Sequence, residues 1–417
     1  MSEHAALPSP NHRLMSRLLA AVGNAPVQIV LWDGTRECPP GSNPAGTVVI
    51  KSPGTLFKLA LDPELYFGEE FSSGRIEIKG DLLRILMEVF QSISRTRRRG
   101  FIRSAISYWL DWQQTNTLSG SRKNIHQHYD IGNDFYKLWL DEQLIYTSAY
   151  FPRPFCTLEE AQIAKMHHIC RKLQLRTGDR VVEAGCGWGA LALHMARHYG
   201  AAVKAFNISH EQILYARERA RNEGLGHKVD FIEDDYRNIS GKHDVFVSVG
   251  MLEHVGCDHY REFGAVVRRC LEDQGRGFLH FIGRHRPMRF NPWIRKRIFP
   301  GAYPPVLSQA MGILEDNNFA VQDIENLRLH YAKTLECWLE RFDRASERVA
   351  SMYGDEFVRM WRLYLAGSCA AFRIGSLHLF QVLFTRAQNN QSPWTRAHMY
   401  AERETRQREE EWITAMS

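Results

Sequence analysis

At 417 residues the chain is too long for one ordinary domain, and 44% hydrophobic with 24% charged residues is the balance of a folded globular protein, not a disordered or fibrous one. No apolar run reaches the roughly 18 residues of a membrane span, residues 1–10 lack the basic-then-apolar pattern of a secretory signal, and eight cysteines without a C-x-x-C pair argue for free thiols in a reducing cytosol and against zinc. The net charge of +6 is modest and no helix carries a continuous basic stripe, so nucleic acid is not an expected partner.

The first expected unit, residues 1–93, is a small α+β domain. Segments 27–31, 48–51 and 75–79 read as strands, 57–61 as a short helix, and Asp81 stands where it can cap a helix over 82–90. Nothing in this unit has catalytic spacing. A linker over 94–121 follows, opening on the basic run at 95–99 and enclosing an apolar helix at 101–112. His126 and His128 lie close to Asp130 but lack a third ligand, so no metal is expected. Thr157 with Glu160 makes a capping box for a helix to Leu173.

From Val181 the alternation is that of a doubly wound α/β domain. Strands are expected at 181–184, 203–207, 229–233, 245–249, 277–282 and 321–327, and helices at 190–198, 209–223, 260–271 and 307–317. An insertion occupies 284–306. The tail from Tyr331 to about Arg386 reads as helices, and 391–417 as a C-terminal tail.

The segment 181–189, VVEAGCGWG, carries the chemistry. A buried strand runs into three glycines at alternate positions and then into good helix-forming sequence, which makes a cleft at a strand's carboxyl end. The spacing is not the dinucleotide G-x-G-x-x-G, which aims a helix at a pyrophosphate. S-adenosylmethionine (SAM) has no phosphate, and its cationic groups suit a nearby carboxylate such as Glu183. The pattern therefore resembles motif I of the class I SAM-dependent methyltransferases, which implies a Rossmann-like catalytic domain. Successive strand ends carry Gly185 and Gly187, then Asn207 and Ile208 with Gln212 on the next helix, then Asp235 and Tyr236. That order suits methionine over the glycines, ribose at the second strand and adenine at the third. The usual acid ending the second strand is replaced by Asn207, which bonds a hydroxyl without charge assistance.

The motifs HYDIGNDFY, YTSAYF, EAGCGWG, ISHEQ, DDYRN, SVGMLEHVG, LHFIG, NPWI with IFPG, and HYAKTL occur in that order. Together they are similar to those of the cyclopropane fatty acid synthases and mycolic acid cyclopropane synthases, over about 122–390. The YFGEEFSSGRIEI stretch of the N-terminal unit is similar, more loosely, to that family's accessory lipid-binding domain. The resemblance implies an enzyme that methylenates a cis double bond of an unsaturated phospholipid acyl chain. SAM is the implied donor and a bound bicarbonate the implied proton acceptor. The bicarbonate cradle is implied at Glu253, His280, Tyr331, Ser148 and the backbone of Ile282, with Tyr146 and Thr147 added to the cofactor positions and Tyr136 and Phe206 on the acyl channel. The family has Cys where this chain has Ser148. If the backbone serves there the change is neutral. If the thiol serves, a fatty-acyl C-methyltransferase giving a branched chain is the alternative. A lipid-binding protein without activity and a small-molecule methyltransferase are further alternatives. Basic residues at 284–289 and 295–297, interleaved with Phe290, Trp293, Ile294, Ile298 and Phe299, suit either an anionic lipid surface or a solvated face beside a hydrophobic anchor. The expected location is cytoplasmic, peripheral on the inner membrane face, with a homodimer left open.

Overall fold

A computed structural model describes residues 10–97, 131–288 and 290–400. The helix expected at 101–112, the histidines at 126 and 128, and the end of the tail lie outside the described residues. The chain condenses into two compact units that do not follow sequence order: 1–114 with 286–300 and 332–377, and 115–285 with 301–331 and 378–417. The expected division at 93 and 122 therefore differs from the way the chain packs, because later helices return to the N-terminal unit.

In that unit β1 (Gln28–Leu31), β2 (Arg36–Glu37), β3 (Thr47–Ile50) and β4 (Ile76–Lys79) form a sheet in the order β2-β1-β3-β4. Ile29, Leu31 and Ile50 are buried in its core, as are Leu82, Ile85 and Leu86 of the helix Leu82–Arg97. Ser52 and Asp62 cap the successive helices Pro53–Leu61 and Pro63–Ser72, each with a proline in its first turn where no amide donor is missed. The second of these helices belongs to the YFGEEFSSGRIEI stretch. There Glu70 is buried and bonded to Arg75, Lys58 and Thr55, and Arg75 above all holds its carboxyl down to about 2. Its role is packing. The helix Asp355–Arg373 lies against Leu82–Arg97 and Pro63–Ser72, which is why 332–377 joins this unit.

The insertion also belongs here. Asn291 caps a short helix, Pro292–Arg297, whose Trp293 is 4% exposed, and Ile298 just beyond it is 1% exposed. A Cβ at Gly68 would come within 2.3 Å of the Trp293 ring, so glycine admits the indole. Arg297 binds Glu69 through two hydrogen bonds of 2.7 and 2.5 Å, and Lys296 stands 3.5 Å from the same carboxylate. Of the two readings of this stretch, the burial of Trp293 and Ile298 in the unit's own core supports a hydrophobic anchor beside a solvated face, while Phe290, Ile294 and Phe299 stay half-buried.

The second unit holds a seven-stranded sheet: β5 (Arg180–Ala184), β6 (Ala202–Asn207), β7 (Val229–Glu233), β8 (His243–Val249), β9 (Leu271–Gly283), β10 (Phe319–Asn326) and β11 (His378–Arg386), in the order β10-β11-β9-β8-β5-β6-β7. Strands β5 to β9 are parallel, while β11 is antiparallel to both its neighbours. The doubly wound α/β class is as expected, with one correction. The run at 378–386 was read as helix, but it is a strand buried on both faces, so its sequence shows no alternation to betray it. Strand order reverses between β5 and β8, and ligand clefts of such sheets open at that switch point.

Replacing Trp293 with Ala should lower urea-measured stability by roughly 3–5 kcal/mol and leave binding to anionic vesicles unchanged. Lost vesicle binding in a fully stable variant would restore the surface role.

Candidate active site

The turn after β5 needs its glycines for separate reasons. Gly185, Gly187 and Gly189 all have positive φ, at +85°, +54° and +83°. A Cβ at Gly189 would stand 2.5 Å from Phe231 Cζ and 3.0 Å from Ala216 Cβ, so this glycine lets helix Ala190–Tyr199 close on its neighbours. At Gly187 a Cβ would meet nothing within 4 Å among the described residues. That open space is where a ligand can lie against bare backbone. The Gly185 and Cys186 amides donate to Phe206 O at 2.9 and 3.1 Å, pinning the turn to β6. Trp188 closes one side: its indole donates to Asn133 Oδ1 at 2.7 Å, and its ring lies 4.9 Å from Tyr136, which is 5.5 Å from Tyr146.

Asn207 braces the same turn, its amide donating to Gln212 Oε1 at 2.7 Å and Gly187 O at 3.3 Å. Asp235 caps the short turn Tyr236–Asn238 by accepting from the Arg237 amide at 3.0 Å. Tyr236 is buried, with the Arg237 guanidinium 5.3 Å from its ring centre. Ile208 is half-buried next to Asn207. Phe206 packs in the hydrophobic core and Tyr136 is fully buried in the ring cluster.

Glu183, one residue from the end of β5, is buried, its Oε2 has no partner among the described residues, and burial pushes it up to about 8. The cation that acts on it is Lys165, which the sequence did not single out. Lys165 sits on helix Leu158–Lys172, whose Thr157–Glu160 capping box forms as expected. Its ammonium donates to Thr147 Oγ1 at 2.7 Å, and burial drives it down to about 7. Gln162, also buried, donates to Thr147 O at 2.9 Å and Ile145 O at 3.3 Å. One helix thereby clamps the segment that carries Tyr146, Thr147 and Ser148. Ser148 is fully buried, its hydroxyl turned onto Ala149 O at 3.0 Å.

Glu253, His280 and Ile282 converge at the ends of β8 and β9. The Ile282 amide donates to Glu253 Oε1 at 2.6 Å, so that amide orients the carboxylate and is not itself open to an anion. Glu253 Oε2 has no partner among the described residues, and burial raises the acid to about 7. His280 is held neutral, its pKa pushed well below 6.5 by burial. Gln381, opposite it on β11, places its Nε2 3.3 Å from His280 Nδ1. With that amide donating to Nδ1, the imidazole proton sits on Nε2, a buried atom without a partner. Gln381 lies too far along the chain for sequence reasoning to pair it with His280. Tyr331 is buried four residues beyond Leu327, whose amide bonds Leu379 O at 2.8 Å, and Leu379 pairs with Ile282. His330 next to it accepts from the Phe151 amide at 2.9 Å and stacks 4.9 Å from Tyr150, tying Tyr331's helix to the Ser148 segment.

The model of the mycolic acid cyclopropane synthetase family matches residues 116–382. This chain belongs to that family. It is a transferase of the SAM-dependent methyltransferase superfamily. A second model, a domain of unknown function, matches residues 14–99. A Pseudomonas putida relative described as a probable fatty acid methyltransferase is 35% identical over 90% of this chain and 96% of its own length. The Escherichia coli K12 cyclopropane-fatty-acyl-phospholipid synthase is 41% identical over 63% of this chain and 68% of its own. Among solved structures, a mycolic acid cyclopropane synthase in complex with SAH and CTAB matches with a TM-score of 0.61 at 29% identity, over 64% of this chain and 98% of that one.

Two glycine variants should separate ligand from packing. Gly187→Ala is expected to weaken SAM binding by at least about tenfold in calorimetry while lowering stability by only roughly 1–2 kcal/mol. Gly189→Ala should instead lower stability by roughly 2–4 kcal/mol, through strain and overpacking together. Equal SAM affinity in Gly187→Ala and wild type would remove the cofactor from this turn.

Proposed function

We propose that this enzyme transfers a one-carbon unit from SAM to the cis double bond of an unsaturated phospholipid acyl chain and closes it to a cyclopropane, acting as a peripheral protein at the inner membrane face. The observation that carries the reading is a pair of buried atoms beyond β8 and on β9: Glu253 Oε2, on the short helix Leu252–Val255, and His280 Nε2, each desolvated and each without a partner among the described residues. Buried polar atoms normally find partners, and these two orphans fit a small bound group. The open space over Gly187 and the unpartnered Glu183 carboxylate fit SAM.

SAM supplies an electrophilic methyl, and bicarbonate supplies a base for the proton that leaves the added carbon as the ring closes. The chain's own residues do the rest. Neutral His280 offers the Nε2 proton to an anion, and Gln381 keeps that tautomer. Glu253, raised to about 7, can donate from Oε2 while the Ile282 amide fixes Oε1. The Ser148 hydroxyl donates to Ala149 O, which supports a neutral exchange for the family's cysteine.

A second reading, a branched product, is favoured by a specific observation. The relatives that align over 90% and 88% of this chain are a probable fatty acid methyltransferase and the tuberculostearic acid methyltransferase of Mycobacterium tuberculosis. Incubation with SAM and unsaturated phospholipid vesicles, followed by mass spectrometry and proton NMR, decides between them. Upfield ring protons are expected; a branched methyl signal without them would establish the second reading.

Glu253→Gln should leave SAM affinity near wild type and lower kcat by about 10²-fold or more. The acid's neutral form tolerates a neighbouring anion and its ionised form repels it. The bicarbonate concentration giving half-maximal rate should therefore stay flat below pH 7 and rise by up to about tenfold per unit above it. A flat dependence from pH 6.5 to 8.5 would take Glu253 out of the anion cradle.

A further inference from the structure

Phe155 is 97% exposed in the turn 152–155, and Leu329 is 56% exposed at the start of helix Arg328–Arg344. A phenylalanine wholly in water forgoes the gain of burial unless something covers it. Neither side chain hangs on slack chain. Pro152 and Pro154 fix the backbone on both sides of Arg153, and the two segments are stitched together by His330, which accepts from the Phe151 amide at 2.9 Å. Four residues of chain reach about 14 Å at most, so Phe155 stays within that distance of Phe151. Leu329 is two residues from Tyr331.

We infer that the turn 152–155 and the exposed start of helix Arg328–Arg344 form a lip that enters an anionic phospholipid bilayer and brings acyl chains to the mouth of the site. The inference rests on the lipid reading proposed above and names the surface that serves it. Charge decides for a membrane over a protein partner. Residues 148–157 and 327–331 contain no acid, and their charged members are Arg153 and Arg328. Apolar tips rimmed by cations match an interface with anionic headgroups above and hydrocarbon below. Among the described residues no helix is long and apolar enough to cross a membrane, and the anchors at 293 and 298 are buried, so reaching a double bond inside a bilayer falls to exposed groups such as these.

The test uses the full chain and vesicles of cis-unsaturated phosphatidylglycerol mixed with phosphatidylcholine. Phe155→Ser with Leu329→Ser should weaken vesicle co-sedimentation by at least about tenfold. Transfer to vesicle lipid should fall in step, while transfer to the same lipid dispersed in detergent stays near wild type. Phe57→Ser, which removes another exposed ring on the other unit, should change nothing. Unchanged vesicle binding in the double variant, an equal loss on both forms of lipid, or an equal effect of Phe57→Ser would overturn the lip. Should the protein modify no lipid at all while its vesicle affinity still depends on Phe155, the lip stands and the catalytic reading falls.

Discussion

Burial of ionisable groups without a full set of partners is the constraint on which this site turns. Water would hold Glu253 ionised and let His280 take up a proton near neutrality. At the ends of β8 and β9 both are shut away from solvent, and the loss of hydration drives the acid up to about 7 and the imidazole well below its usual value. Below about pH 7 both are therefore neutral. A sheet can impose this because its strands are already paid for by the rest of the core. Ile282 holds one oxygen of Glu253 through a backbone amide that cannot wander, and Gln381 reaches His280 across the register of β9 and β11. The same amide that orients the carboxylate is thereby unable to serve as a direct anion donor.

How far this could be read from residues alone depended on how local the cause was. The glycine turn was legible because positive φ and close approach leave their mark within seven residues, 183–189. The capping box at Thr157 was legible for the same reason, since both partners lie within one turn. Strand β11 was not, since a strand covered on both faces shows no alternation of buried and exposed positions to mark it. Lys165, Gln162 and Gln381 act across 18, 15 and 101 positions of sequence, distances no spacing rule spans. The stretch 290–299 left two readings open for a physical reason. Interleaved cations and aromatics look alike whether they face lipid or a neighbouring helix, and the counterpart that settled the matter, Gly68 with Glu69, lies more than 200 residues earlier.

The departure at Ser148 bears on product more than on affinity. A cation left on the acyl chain after methyl transfer can lose a proton from the new carbon or from a neighbouring one. Which proton leaves depends on where the base is held, and a base held by neutral donors on rigid strands has little freedom to reach elsewhere. The serine hydroxyl is turned onto Ala149 O, so what this position presents to the site is set by backbone, which cysteine and serine share. The clamp from helix Leu158–Lys172 strengthens the point. Gln162 bonds carbonyls and Lys165 bonds the Thr147 hydroxyl, so the segment is positioned from the residues flanking Ser148 and not by its side chain. Relatives named for ring formation and for methylation align with this chain, and a small shift in the anion's position is physically sufficient to divide such outcomes. On the proposed reading, Glu253 held by Ile282 and His280 held by Gln381 fix that position, while Ser148 is placed by its neighbours.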